Sequence, residues 1–170
     1  AGATIIEKTD EEGGILSHNT ASYTDDEVFY LFYGKSYNPQ ADEKTKYIKM
    51  RGRKVYEFAL TNVPSAMKEC LDLANTDISE IKKILIHQAN AKMDDAIVKR
   101  LYKLFNEESP EKIMPLTVDR FGNSSVATVP TMFDLIVRNK LGDHKIEKGD
   151  KIIFASVGAG MHINAMVYQY

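Results

Sequence analysis

Only one cysteine, Cys70, occurs in the 170 residues, so no internal disulfide can form. Long apolar runs are missing as well: none approaches the ~18 residues that a membrane-spanning helix needs. Charge of one sign is not in excess either. The 22 Lys+Arg and 24 Asp+Glu leave a net charge of −2, which excludes the global basic footprint of a nucleic-acid binder. No linker, low-complexity tract or internal repeat divides the chain, and His18, His144 and His162 have no metal-site spacing. What is present is ordinary for one well-packed domain: 44% hydrophobic and 27% charged residues. The lone cysteine, and the lack of a signal peptide before the first strand candidate, suit a reducing cytosol. The start, Ala1-Gly2-Ala3-Thr4-Ile5-Ile6-Glu7, runs from turn into strand without an initiating Met and reads as cut from something longer.

Apolar periodicity organises the rest. Residues 3–8 and 15–23 are strand candidates separated by the turn-like Asp10-Glu11-Glu12-Gly13-Gly14. The segment 23–47 is rich in aromatics and reads as a surface insertion. Val55, Phe58, Ala59, Val63, Ala66, Met67, Cys70, Leu71 and Ala74 recur at helical spacing, with Pro64 expected to kink or split that helix. Ile84-Leu85-Ile86 is a short strand, and Met93, Ala96, Ile97, Arg100, Leu101 and Leu104 form the stripe of the next helix. Leu116-Thr117-Val118 is a weaker strand. A third helix carries Val126, Val129, Phe133, Ile136, Val137 and Leu141, and strands at 152–155 and 163–168 close the chain. Alternating helices and short apolar strands predict an α/β fold with a largely parallel sheet covered on both faces.

In such sheets the ligand site lies outside the carboxyl ends of the strands. Three polar stretches fall there: His87-Gln88-Ala89-Asn90, Gly122-Asn123-Ser124-Ser125 and Gly158-Ala159-Gly160. Neutral histidine and asparagine side chains offer N–H donors for a developing enolate or oxyanion. A Gly-Ala-Gly loop lets main-chain N–H groups approach a substrate oxygen. The combination suits carbonyl chemistry at a thioester. Taken singly, each stretch has a plainer reading: a structural histidine at a strand end, a capping turn with Ser124 and Ser125 at a helix start, and a tight hairpin. Cys70 lies on an apolar stripe and reads as core rather than nucleophile. Lys46, Lys49, Arg51, Arg53 and Lys54 read as a solvated face, with an anchor for an anionic ligand or acidic partner as the alternative.

Together, and in this order, these motifs resemble the C-terminal half of the 3-oxoacyl-[acyl-carrier-protein] synthase III family, thiolase-like condensing enzymes that initiate fatty acid synthesis. The likeness runs over nearly the whole chain, residues 1–170. It is carried by HQAN at 87–90, DRFGNSS at 119–125 and GAG at 158–160, supported by Gly2-Ala3 and by Met50-Arg51-Gly52-Arg53-Lys54-Val55-Tyr56. The resemblance implies a thiolase-like half with a five-stranded mixed sheet and covering helices. It places His87 and Asn123 on the histidine and asparagine that hold the malonyl thioester carbonyl and its enolate. Gly158, Ala159 and Gly160 fall in the oxyanion loop, Met50, Gly52, Tyr56 and Asn90 near the substrate's pantetheine arm, and Lys92 where acyl carrier protein docks.

The implied cofactor and metal complement is none, because acyl-CoA and malonyl-carrier protein bring their own phosphopantetheine. The implied partners are acyl carrier protein, acyl-CoA, the N-terminal half of the same enzyme and a second copy in a cytoplasmic homodimer, without nucleic acid or membrane. Two departures stand out. The family's nucleophilic cysteine belongs to the other half, and His162-Ile163-Asn164 replaces a common Thr/Ser-Trp-Gly run. The competing readings are a non-catalytic acyl- or carrier-binding subunit and a synthase of a secondary metabolite. An isolated half is expected to be inactive and to self-associate through its exposed apolar face.

Overall fold

A computed structural model describes residues 2–170. Its central sheet has four strands in the order β1 (Gly14–Ser22), β6 (His162–Gln169), β5 (Lys151–Gly158) and β4 (Ile81–Ile86). Only β4 and β5 run parallel; β6 is antiparallel to both β5 and β1. The sheet is therefore mixed, and the expectation of a largely parallel sheet is corrected. A separate antiparallel ribbon pairs β2 (Leu31–Lys35) with β3 (Lys46–Met50) within the aromatic segment.

Side chains of the central strands alternate between two cores, as a period of two requires. Ile153, Ala155, Ile163, Ala165 and Val167 face the larger core under α1 (Gly52–Leu73) and α2 (Ala91–Lys103). Leu85, Ile152, Phe154 and Tyr168 face α4 (Thr128–Val137) with its Met132, Phe133 and Ile136. Helices thus lie on both faces. The stripe read for α1 holds in its middle: Phe58, Ala59, Val63, Ala66, Met67, Cys70 and Leu71 are all buried, whereas Val55 and Ala74 at its ends are only half-buried. Pro64 does not split the helix, which is continuous across it. Side-chain hydrogen bonds from Thr61, Asn62 and Ser65 to carbonyls one turn back, at 2.9–3.1 Å, reinforce the turns on either side of the proline.

Four other expectations change. Residues 3–8 form no strand; Ile5 and Ile6 are 96% and 77% exposed, since a β-branched run without a neighbouring ladder has nothing to pair with. In α2, Arg100 and Leu104 face solvent, and Asp94, Val98 and Tyr102 share burial with Met93, Ile97 and Leu101. Val126 and Val137 are likewise exposed instead of joining the third stripe. Leu116-Thr117-Val118 is no strand, and the central sheet has four strands instead of five. Pro115 lacks the N–H a ladder needs. The Gln88 side chain takes up the Pro115 carbonyl and the Thr117 and Val118 N–H groups at 2.6–3.1 Å. One carboxamide thus occupies the place of a neighbouring strand, and Val118 proceeds at once into the short helix α3 (Val118–Phe121).

Candidate active site

Because β4 and β5 are parallel, both turn at the same edge of the sheet, and β6 starts there. The His87 N–H donates to the Ala155 carbonyl at 2.9 Å, carrying the ladder one residue past the end of β4. His87 is half-buried. Burial pulls its pKa below the usual imidazole value, and a backbone hydrogen-bonding contact with Ser125 partly opposes that pull. The ring is therefore largely neutral at pH 7 and carries a single N–H. That contact places the His87 ring near the Ser125 backbone.

That loop is built by glycine. Gly122 ends α3 at φ 64° and ψ −164°, a conformation that side-chain-bearing residues avoid. Asn123 follows, exposed, with its Oδ1 accepting from the Ser125 N–H at 2.9 Å. Among the described residues nothing accepts from the Asn123 Nδ2, so both of its N–H bonds are available to a ligand. The sequence motif had a capping reading; in the structure neither Ser124 nor Ser125 makes a side-chain cap hydrogen bond.

Gly158 ends β5, and Ala159–Met161 form one tight turn before β6. Gly160 sits at φ 76°, where a Cβ would also lie 2.5 Å from the His162 Nε2. Ala159 is exposed. The aromatic segment is not detached from this edge. The 3-10 turn Asp26–Tyr30 and β2 both pack on the 159–161 turn, and the Tyr23 N–H donates to the Met161 carbonyl at 3.3 Å.

Of the remaining candidates, Asn90 caps α2, its Oδ1 accepting from the Lys92 and Met93 N–H groups at 3.0 and 3.4 Å. Lys92 is exposed in the first turn of that helix and makes no ion pair among the described residues. Met50 ends β3 opposite Leu31, Gly52 opens α1, and Tyr56 lies on its first turns; Met50 and Tyr56 are 62% and 42% exposed. No described contact joins these three to His87. Of the basic cluster, Arg53 pairs with Glu57 at 2.8 Å and Lys49 lies over the Tyr37 ring at 3.4 Å.

Cys70 is buried, and desolvation pushes its thiol up to about 11, so it is no nucleophile. No group of three or more His, Cys, Asp or Glu side chains gathers among the described residues, and none of the described helices is long and apolar enough to cross a membrane. Two residues that sequence reading passed over matter most here. Gln88 and Asp94 are both fully buried polar side chains within eight residues of His87. Nothing in residue type or spacing marks either as buried.

A largely neutral histidine, a free carboxamide and a glycine loop thus lie along one sheet edge of an α/β fold. Residues 71–170 match the family described as 3-Oxoacyl-[acyl-carrier-protein (ACP)] synthase III C terminal. Over 174 residues the chain is 32% identical to the beta-ketoacyl-[acyl-carrier-protein] synthase III of Erythrobacter litoralis, covering 100% of this chain and 50% of that protein. It is 29% identical to the protein of the same name from Lactobacillus helveticus, covering 99% and 53%. The solved beta-ketoacyl-[acyl carrier protein] synthase III of Thermus thermophilus superposes with a TM-score of 0.77 at 25% identity, over 97% of this chain and 49% of its own. The chain belongs to the 3-oxoacyl-[acyl-carrier-protein] synthase III family and corresponds to its C-terminal half. It spans about half the length of the curated relatives it matches.

Proposed function

We propose that this chain supplies the decarboxylating half of a condensing acyltransferase, which joins an acyl-CoA-derived primer to malonyl-carrier protein in fatty acid biosynthesis. The observation that carries the reading is the meeting of a neutral His87 with the loop that presents the free Asn123 amide. When the malonyl thioester loses carbon dioxide, the electrons of the broken C–C bond move onto the thioester oxygen. N–H donors from His87 and Asn123 hold that enolate oxygen. The enolate carbon then attacks an acyl thioester on a cysteine outside this chain. The Ala159 main-chain N–H stabilises the tetrahedral oxyanion, which collapses with loss of the cysteine thiolate.

No resident cofactor enters these steps, because each substrate arrives activated as a phosphopantetheine or coenzyme A thioester. The unpaired Lys92 charge, two residues beyond Asn90, suits docking of an acidic carrier protein, and Met50, Gly52 and Tyr56 suit the pantetheine arm. We place the assembled enzyme in the cytoplasm as a homodimer, with this chain packed on the half that bears the cysteine. A desolvated, neutral histidine beside the loop that carries a free carboxamide favours chemistry over binding alone.

The test separates the half-reactions in the enzyme assembled with the cysteine-bearing half. His87→Ala and Asn123→Ala should each lower malonyl decarboxylation by about 10²–10³-fold. Acylation of the cysteine by acyl-CoA should change little. Decarboxylation at the unaltered rate in both variants would overturn the assignment.

A further inference from the structure

We infer that Gln88 is the positioning residue of this site, its carboxamide fixing the Asn123 loop against His87 from the place where another strand would pair. The inference rests on the reading of His87 and Asn123 given above. Gln88 is 0% exposed and its carboxamide is saturated. Nε2 donates to the Pro115 carbonyl at 2.6 Å and approaches the Met132 Sδ at 3.2 Å. Oε1 accepts from the Thr117 N–H at 2.8 Å, the Thr117 hydroxyl at 3.2 Å and the Val118 N–H at 3.1 Å.

Buried glutamines are usually hydrogen-bonded, and that alone assigns no role. The connectivity does. Among the described residues no main-chain hydrogen bond joins residues 87–90 to residues 115–125. Gln88 supplies that link, and it is the residue directly after His87. From Thr117 and Val118 the path to Asn123 is short and stiff. The Thr117 carbonyl accepts from the Arg120 and Phe121 N–H groups at 3.0 and 2.9 Å, and the Val118 carbonyl from the Gly122 N–H at 3.0 Å. Asn123 then accepts from Ser125, whose backbone meets the His87 ring. The ring of contacts closes on the residue next to where it began, so the spacing of the two donors depends on Gln88. A 1 Å misplacement of such donors is enough to cost much of their effect.

The test reads the contact itself by NMR of the enzyme assembled with the cysteine-bearing half, with labelled histidine in this chain and the wild type alongside. In Gln88→Leu, which fills similar space without hydrogen-bonding groups, we expect the His87–Ser125 contact to disappear. The His87 titration midpoint should fall further, because the lost contact is the one that opposes the pull of burial, while Met67 and Ile153 signals on the far core keep their positions. Gln88→Glu is the conservative variant. Its protonated carboxyl can donate to the Pro115 carbonyl and accept from Thr117 and Val118; its ionised form repels that carbonyl. The contact should therefore be present at about pH 5 and lost above about pH 7.5. A space-filling role would be satisfied by leucine and indifferent to pH. An intact contact and midpoint in Gln88→Leu, or the same behaviour of Gln88→Glu at both pH values, overturns the inference. Should Gln88→Leu not fold, the Gln88→Glu pH series decides alone. Because turnover is not the readout, unaltered decarboxylation by both His87→Ala and Asn123→Ala would sink the catalytic reading without touching this result.

Discussion

Gln88 and Asp94 stand six residues apart, both 0% exposed, on either side of the Asn90 cap. Every polar atom of Gln88 has a partner, whereas neither carboxylate oxygen of Asp94 has one among the described residues. Burial of the first costs little because its hydrogen bonds with water are replaced in kind; burial of the second is uncompensated. Desolvation accordingly pushes the Asp94 carboxyl up to about 7, with the Asn90 backbone pulling weakly the other way. The contrast shows how one buried amide can order a site while a buried acid nearby only loads it.

The comparison breaks most severely at Gln88. Gln88→Leu strands the Pro115 carbonyl and two N–H groups, and should lower unfolding free energy by about 3 kcal/mol, read by denaturant titration. Asp94→Asn should do the opposite. The Asp94 pKa is raised on folding from an unfolded value near 3.9 to about 7. Its stability contribution is thus complete below about pH 4 and lost as pH rises through 7. The asparagine variant should therefore gain roughly 2 kcal/mol at pH 8 and nothing at pH 4, and a gain independent of pH would show that charge is not the cause. Asn90→Ala, between the two, removes only a helix cap and should cost about 1 kcal/mol by thermal unfolding.

Much of the frame was legible in the residues. The α1 stripe, β4, β5 and β6 announce themselves because burial there follows strict periods in apolar side chains. The site edge was legible because it requires only that polar residues follow apolar strands. What escaped depends on partners distant in sequence. Thr4-Ile5-Ile6 has strand propensity without a ladder, and Leu116-Thr117-Val118 is paired by a side chain instead of a strand. Asp94 is buried although acidic residues seldom are, which shifted the expected face of α2 by one position. His87 was read from its neighbours in the motif, but its neutrality comes from burial, which spacing does not encode.

The central claim is that His87 acts as a neutral donor beside the Asn123 loop. Its imidazole resonances, followed through pH in the assembled enzyme, test this. A neutral donor requires a titration midpoint below about 6.5, the unperturbed value, with the Ser125 contact present at pH 7. A midpoint above 7, giving an imidazolium at neutral pH, would contradict it.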